Sequence, residues 1–278
     1  MSIVTTTELL IAILAGIVQG VVEWLPVSSQ GNLSLVLTLV GTDPAVAVQL
    51  ALFLQLGTTL SAATYYRAEI ATILKSVPEW RPTKAYDADH AIATYVVVAS
   101  LFTGLVGIPL YVLAVDLVSD LTGGVFIAVI GVLLVITGLL QRASDSVSMG
   151  GREAPSLVDS ILVGSAQGFA ILPGISRSGV TASALLFRSY DPPTAFRLSF
   201  LLSIPASVGA AALTVASAGG LPGIAPVPAA VALGVSGVVG YLTIDALMRV
   251  VERVPFATVC FALGALAIVG GGGIALVV

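Results

Sequence analysis

Six stretches of apolar residues run through this chain, at about 46–66, 91–115, 122–141, 194–217, 226–247 and 255–278. Each is close to or above the roughly 20 residues that cross a bilayer as a helix. No other feature narrows the fold as much, because a backbone in lipid must satisfy its own hydrogen bonds, which only helices and closed barrels do. Composition agrees. Hydrophobic residues make up 57% of the 278 and charged residues 9%, against roughly 25% charged in soluble domains, and mean hydropathy is +1.08. The chain reads as an all-α polytopic membrane protein, a single membrane domain over residues 1–278. A formal charge of −4 and a pI near 4.8 leave no basic patch for nucleic acid. The one cysteine, Cys260, lies in the last apolar segment. It excludes a disulfide framework or a cysteine zinc site and reads as a small buried hydrophobe. The N-terminus lacks a basic stretch, so no cleavable signal peptide is expected.

Two regions do not fit the pattern of plain spans. Residues 7–40 and 158–190 each hold two apolar pieces interrupted by a Pro/Ser/Gly knot, LPVSSQGN and LPGISRSG. Proline and glycine end helices, and broken backbone at membrane depth is tolerated only where protein buries it or it lines a wet cavity. Each region therefore reads as two half-helices in a re-entrant hairpin. The two knots also echo one another: Gln19 to Ser28 and Gln167 to Ser176 have the same spacing, as do Gly20 to Ser29 and Gly168 to Arg177.

Basic residues suggest the threading. Arg67, Lys75, Arg81 and Lys84 follow the first span, Arg142 and Arg152 the third, Arg188 and Arg197 flank the exit of the second hairpin, and Arg249 and Arg253 precede the last span. Ten of the eleven Lys and Arg then share one side, facing acids such as Asp43, Asp116 and Asp120 on the other. The basic side is expected to be cytoplasmic in a multi-pass plasma-membrane protein, with both termini outside. Three spans separate the hairpins, so the hairpins enter from opposite faces. The expected architecture is an inverted repeat, approximately 7–141 and 158–278, each half one re-entrant hairpin plus three transmembrane helices. Such folds place their site near the midplane, where the hairpin tips meet.

The eleventh basic residue, Arg177, sits at one tip. An intramembrane charge is costly and marks function by default, and a guanidinium fork suits phosphate or carboxylate. Ser176 or Ser178 would cap the half-helix near Gly179, and Ser28 and Ser29 the one running from Gln30. Each helix N-terminus would offer free N–H groups and a positive dipole end. Together they describe a phosphate cradle. Gln19 and Glu23, four apart, share a helix face just before the first tip. An acid facing a presumed anion makes sense once a divalent cation is added, since hard cations take carboxylate and phosphate oxygens together; the competing reading is a structural ion pair of Glu23 with Arg177. Several other residues read as structural. His90 reads as a solvated helix end, Asp245 as an i,i+4 partner of Arg249, Asp191 as a cap, the charged stretch from Arg67 to His90 as a solvated loop, and Gly270 to Gly273 as a close-packing run.

These motifs are what the resemblance rests on. QGVVEWLPVSSQGNL, LPGISRSGVT and FRLSFLLSIPASVGA resemble the corresponding segments of the undecaprenyl-diphosphate phosphatases, also called bacitracin-resistance phosphatases. The similarity runs from Leu9 to the final span. It implies an integral membrane phosphatase that converts polyprenyl diphosphate to the monophosphate and inorganic phosphate, recycling a lipid carrier for the cell envelope. It also implies Gln19 and Glu23 at metal and diphosphate, with Ser28, Ser29, Gln30, Asn32, Ser176, Ser178 and Thr181 as polar site residues and Arg177 as the phosphate clamp. One position departs. Where the bacterial pattern reads Ser-Ser-Thr-Gly-His, this chain has Ser28-Ser29-Gln30-Gly31-Asn32, so the family histidine becomes Asn32. Either Glu23 serves as base or Asn32 positions water or phosphate.

The expected catalytic set is Glu23, Ser29 and Arg177, with Mg²⁺ or Ca²⁺ held by Glu23 and Gln19. The nucleophile is Ser29 or a water oriented by Glu23. The expected partners are the polyprenyl diphosphate lipid, the membrane and a second copy of the chain in a homodimer, with the site open to the extracytoplasmic side. The rival readings are a lipid-phosphate flippase or inverted-repeat transporter, and an anion channel.

Overall fold

The structure, a computed structural model, describes residues 5–87, 90–145, 150–152, 154–251 and 254–277. Among the described residues the regular structure is helical apart from one isolated bridge between Arg152 and Tyr190. The α-helices are α1 (Thr6–Val22), α2 (Ser29–Leu39), α3 (Pro44–Tyr65), α4 (Arg67–Ser76), α5 (Ala91–Ser119), α6 (Gly123–Asp145), α7 (Leu157–Phe169), α8 (Arg177–Phe187), α9 (Pro192–Ala218), α10 (Pro226–Val251) and α11 (Phe256–Val277). Six of them, α3, α5, α6, α9, α10 and α11, are long and apolar enough to cross a membrane, and they match the six apolar stretches. The protein is an all-helical polytopic membrane protein.

The two interrupted regions are each a pair of short helices, α1–α2 and α7–α8, joined through the proline-containing knots. Local chemistry starts both pairs alike. Thr5 and Glu8 form a capping box on α1, and Ser156 and Asp159 one on α7, each satisfying N–H groups that a helix start leaves free. Asp43 caps α3 ahead of Pro44. Asp191 holds the same position ahead of α9 and its Pro192, but its side chain makes no capping bond.

The principal contacts pair up in the same way. α1 packs on α10 and α7 on α5, α2 on α3 and α8 on α9, while α3 meets α9 and α6 meets α11. Small residues permit these approaches, as expected where lipid removes the hydrophobic drive between helices. A methyl group on Gly16 or Gly20 would strike α10, and one on Gly164 or Gly168 would strike α5. Gly131 and Gly264 face one another across α6 and α11, as do Gly124 and Gly271. Of the run Gly270 to Gly273, only Gly271 makes such an approach; the other three have open space. The most central span is α3, whereas α5 and α11 turn residues such as Leu101, Leu105, Leu266 and Val269 outward.

Several side chains differ from their sequence reading. His90 is buried rather than solvated: α5 begins at the next residue, and the preceding segment folds back on it, with Thr94 of α5 accepting from Trp80 and donating to the Ala85 carbonyl. Asp245 takes its hydrogen bond from the Tyr65 hydroxyl at 2.6 Å, while Arg249 donates to the Asp245 carbonyl instead of its carboxylate. The Arg67-to-His90 stretch contains α4, which buries no residue. Cys260 is fully buried, as expected. Arg253 lies outside the described residues.

Candidate active site

The two knots meet. Ser28, the N-cap of α2, accepts from Gly31 N at 3.2 Å and from Gly174 N at 3.1 Å, and donates to the Ile175 carbonyl at 3.4 Å. One hydroxyl thus caps its own helix and ties the first tip to the second. Ser28 holds φ +60° to do so, a conformation costly for a residue with a side chain and frequent at functional sites. The backbones approach so closely that a methyl on Gly31 would lie 2.6 Å from Gly174 N. α6 braces both tips: Thr137 donates to the Gly174 carbonyl and accepts from Ser176 N, and Gln141 donates to the Pro26 carbonyl.

A cavity of about 180 Å³ lies against the joined tips. Its polar end at the tips is lined by Glu23, Ser28, Ser29, Gln30, Gln55, Ser176, Arg177, Ser178 and Ser207; Ser100, Thr103 and Gln167 of α5 and α7 add a second polar group, and Leu52, Ile108, Ile171, Ile175 and Leu213 are apolar. Ser176, not Ser178, caps α8 by accepting from Gly179 N at 3.2 Å. The starts of α2 and α8 therefore both contribute residues to one cavity. Two helix starts bring free N–H groups and partial positive charge to the same space.

Glu23 is the hub. Arg177 Nη2 donates to its Oε1, Ser29 Oγ to its Oε2 at 2.6 Å, and Gln19 Nε2 to the same Oε2 at 2.7 Å. The Glu23 side chain is 4% exposed and that of Arg177 15%. Replacing such a buried pair by apolar residues is often neutral or stabilising, so stability alone is a weak reason for it. The other side of the guanidinium is fixed as well: Nη1 donates to Ser207 Oγ at 2.9 Å and to the Ser203 carbonyl at 3.3 Å.

The expected site residues thus divide. Glu23, Ser28, Ser29, Gln30, Ser176, Arg177 and Ser178 line the cavity. Gln19 touches it through Glu23. Asn32 does not line it; its amide donates to the Val27 and Ser28 carbonyls at 2.7 and 2.9 Å, bracing the turn. Thr181 bonds the Arg177 carbonyl and Ser199. Gln30 donates to the Ile171 carbonyl, leaving a buried Oε1 unpaired among the described residues. Gln55, Ser207, Gln167 and the α6 brace were not anticipated. Gln167 had a signal, its place in the echo; polar side chains inside spans were the only signal for the others.

A divalent ion has a partial donor set here. Among the described residues no three His, Cys, Asp or Glu cluster. Among the described residues Glu23 is the one carboxylate lining the cavity, and Gln19 Oε1 is buried without a partner. This suits an ion that takes its remaining ligands from phosphate and water, as Mg²⁺ commonly does.

The chain is similar to known proteins over most of its length. The family model described as "Bacitracin resistance protein BacA" matches residues 12–266. A Haloarcula marismortui protein named undecaprenyl-diphosphatase is 51% identical over 269 residues, covering 96% of this chain and 99% of that one. Proteins of the same name from Methanococcoides burtonii and Methanopyrus kandleri are 40% and 37% identical, covering 92% and 94% of this chain and 96% and 95% of theirs.

Proposed function

The chain belongs to the bacitracin resistance protein BacA family, and from that premise we propose that it is an undecaprenyl-diphosphatase, a membrane phosphatase that cleaves a polyprenyl diphosphate to the monophosphate and inorganic phosphate. The observation that carries this reading is the contact of Ser29 Oγ and Arg177 with one carboxylate, Glu23, at the joined helix starts. A nucleophile held by a base and flanked by a cation is the arrangement phosphoryl transfer asks for.

The diphosphate occupies the polar end of the cavity, and the isoprenoid leaves along the apolar part. Arg177 and the N–H groups at the starts of α2 and α8 receive the terminal phosphoryl oxygens. Ser29 Oγ attacks the terminal phosphorus as its proton passes to Glu23. The bond from that phosphorus to the bridging oxygen breaks and Glu23 passes the proton to the departing polyprenyl monophosphate; the carboxylate so regenerated takes a proton from water, which attacks the phosphoserine, and returns it to Ser29 Oγ as inorganic phosphate leaves. The 2.6 Å bond from Ser29 to Glu23 favours this over direct attack by water. Asn32, bonded to the turn, holds Ser28 and its neighbours in place and takes no proton. Glu23 and the Gln19 Oε1 would hold a divalent ion, which supplies charge neutralisation on the phosphate oxygens.

The paired helices and paired contacts support an inverted repeat with two re-entrant hairpins, and the basic asymmetry supports a site open to the extracytoplasmic face. A flippase would need access from both faces, and the relatives named undecaprenyl-diphosphatase do not favour it. Purified protein in detergent, with no membrane gradient, should release phosphate from undecaprenyl diphosphate, lose that activity in EDTA and regain it with Mg²⁺ or Ca²⁺. No release under any metal would sink the reading; full activity in EDTA would remove only the metal.

A further inference from the structure

Three glutamines line the cavity, and their amides are not equivalent. Gln30 and Gln167 are anchored by their NH₂ ends, on the Ile171 carbonyl and on Thr103 Oγ1, each at 3.0 Å. What they keep unpaired is a buried carbonyl oxygen, which a phosphate oxygen would repel. Gln55 of α3 is anchored the other way round. Arg177 Nη1 donates to Ser207 Oγ at 2.9 Å, and that hydroxyl, already accepting, donates its one proton to Gln55 Oε1 at 3.2 Å. The hydrogen bonds thus run in one direction, from guanidinium to hydroxyl to amide carbonyl, and each strengthens the next. They fix which end of the Gln55 amide is turned away: its Nε2 meets no acceptor among the described residues, and the residue, 8% exposed, lines the cavity.

We propose that Gln55 is a substrate-binding residue whose Nε2 donates to an oxygen of the diphosphate beside Arg177, and that Ser207 is the positioning residue that sets the orientation of both. The proposal rests on the phosphatase reading for the identity of the anion. Its physical content is separable, since any diphosphate that fills the polar end needs the same donor.

The test uses the full chain in detergent and methylenediphosphonate, a non-hydrolysable diphosphate, with binding read by calorimetry. Gln55→Met should weaken binding about tenfold, the scale of one hydrogen bond to a charged group. Gln55→Glu still accepts from Ser207, so the fold and its thermal midpoint in detergent should stay as in wild type. Its carboxylate replaces the donor by a charge that repels the phosphonate, and binding should fall further than in Gln55→Met; a lowered midpoint would instead assign the loss to the fold. Ser207→Ala should also weaken binding, and its effect should shrink once Gln55 is already Met. Binding by Gln55→Glu equal to wild type, or tighter than by Gln55→Met, overturns the proposal, as does wild-type protein that binds no diphosphonate. Failure of wild-type protein to release phosphate from undecaprenyl diphosphate would instead sink the phosphatase reading.

Discussion

Arg177 is held on one side by Glu23 and on the other by Ser207 and the Ser203 carbonyl, so its fork is aimed before any substrate arrives. Preorganised charge avoids reorganisation as the reaction proceeds. Arg177→Lys keeps the charge but loses the planar fork; steady-state phosphate release should fall at least about tenfold while the protein still extracts folded, and near-normal turnover would refute the clamp. Arg177, Glu23 and the capping serines were legible because each announces itself locally, as a charge in an apolar run or a cap at a helix start. Gln55 and Ser207 were not. They meet across two spans far apart in sequence, and their contact depends on how α3 and α9 are rotated, which no local pattern states. A glutamine or serine inside a span reads equally well as a bond between helices. His90 failed for the complementary reason. Its position at a span end says where the helix starts but not that the preceding segment folds over it.

At the scale of elements, the site depends on two short hairpin tips kept in register by α6. Hydropathy located every span within a few residues, since a long apolar run has few alternatives in a bilayer. The brace is another matter: Thr137 and Gln141 look like ordinary small polar residues within a span. Gly174 shows how little slack the junction has. Its φ is +107°, where a side chain is strained, and a methyl there would lie 2.7 Å from the Ile130 carbonyl of α6. Gly174→Ala should therefore destabilise by about 1–3 kcal/mol through overpacking alone, with strain adding to it. Thermal unfolding in detergent should show a lower midpoint, and phosphate release should fall further than the stability loss explains, because Gly174 N is also the donor to Ser28. An alanine variant with wild-type midpoint and turnover would mean that the tips are loosely joined.

For the whole molecule, charge rather than packing decides which way the spans sit in the membrane. The contact of α1 with α10 is repeated by that of α7 with α5, and that of α2 with α3 by that of α8 with α9, and contacts between helices read the same from either face of a membrane. Packing therefore does not set the orientation, and the charges at the span ends must do so. Lys and Arg near span ends are retained on the cytoplasmic side. The segment between α3 and α5 carries Arg67, Lys75, Arg81 and Lys84, while Asp116 and Asp120 lie at the opposite end of α5. Thr83 and Asp120 are both exposed and at opposite ends of that helix, so a cysteine at either is accessible from its own side. The buried Cys260 is first replaced by Ala to remove background labelling. In intact cells Asp120→Cys should then react with a membrane-impermeant thiol reagent and Thr83→Cys should react only after lysis. This outcome puts the closing end of α5 outside and, through the number of spans, both termini with it. The reverse pattern would invert the assignment and require the diphosphate to approach from the cytoplasm, turning an enzyme that recycles an externally released carrier into one that acts before export.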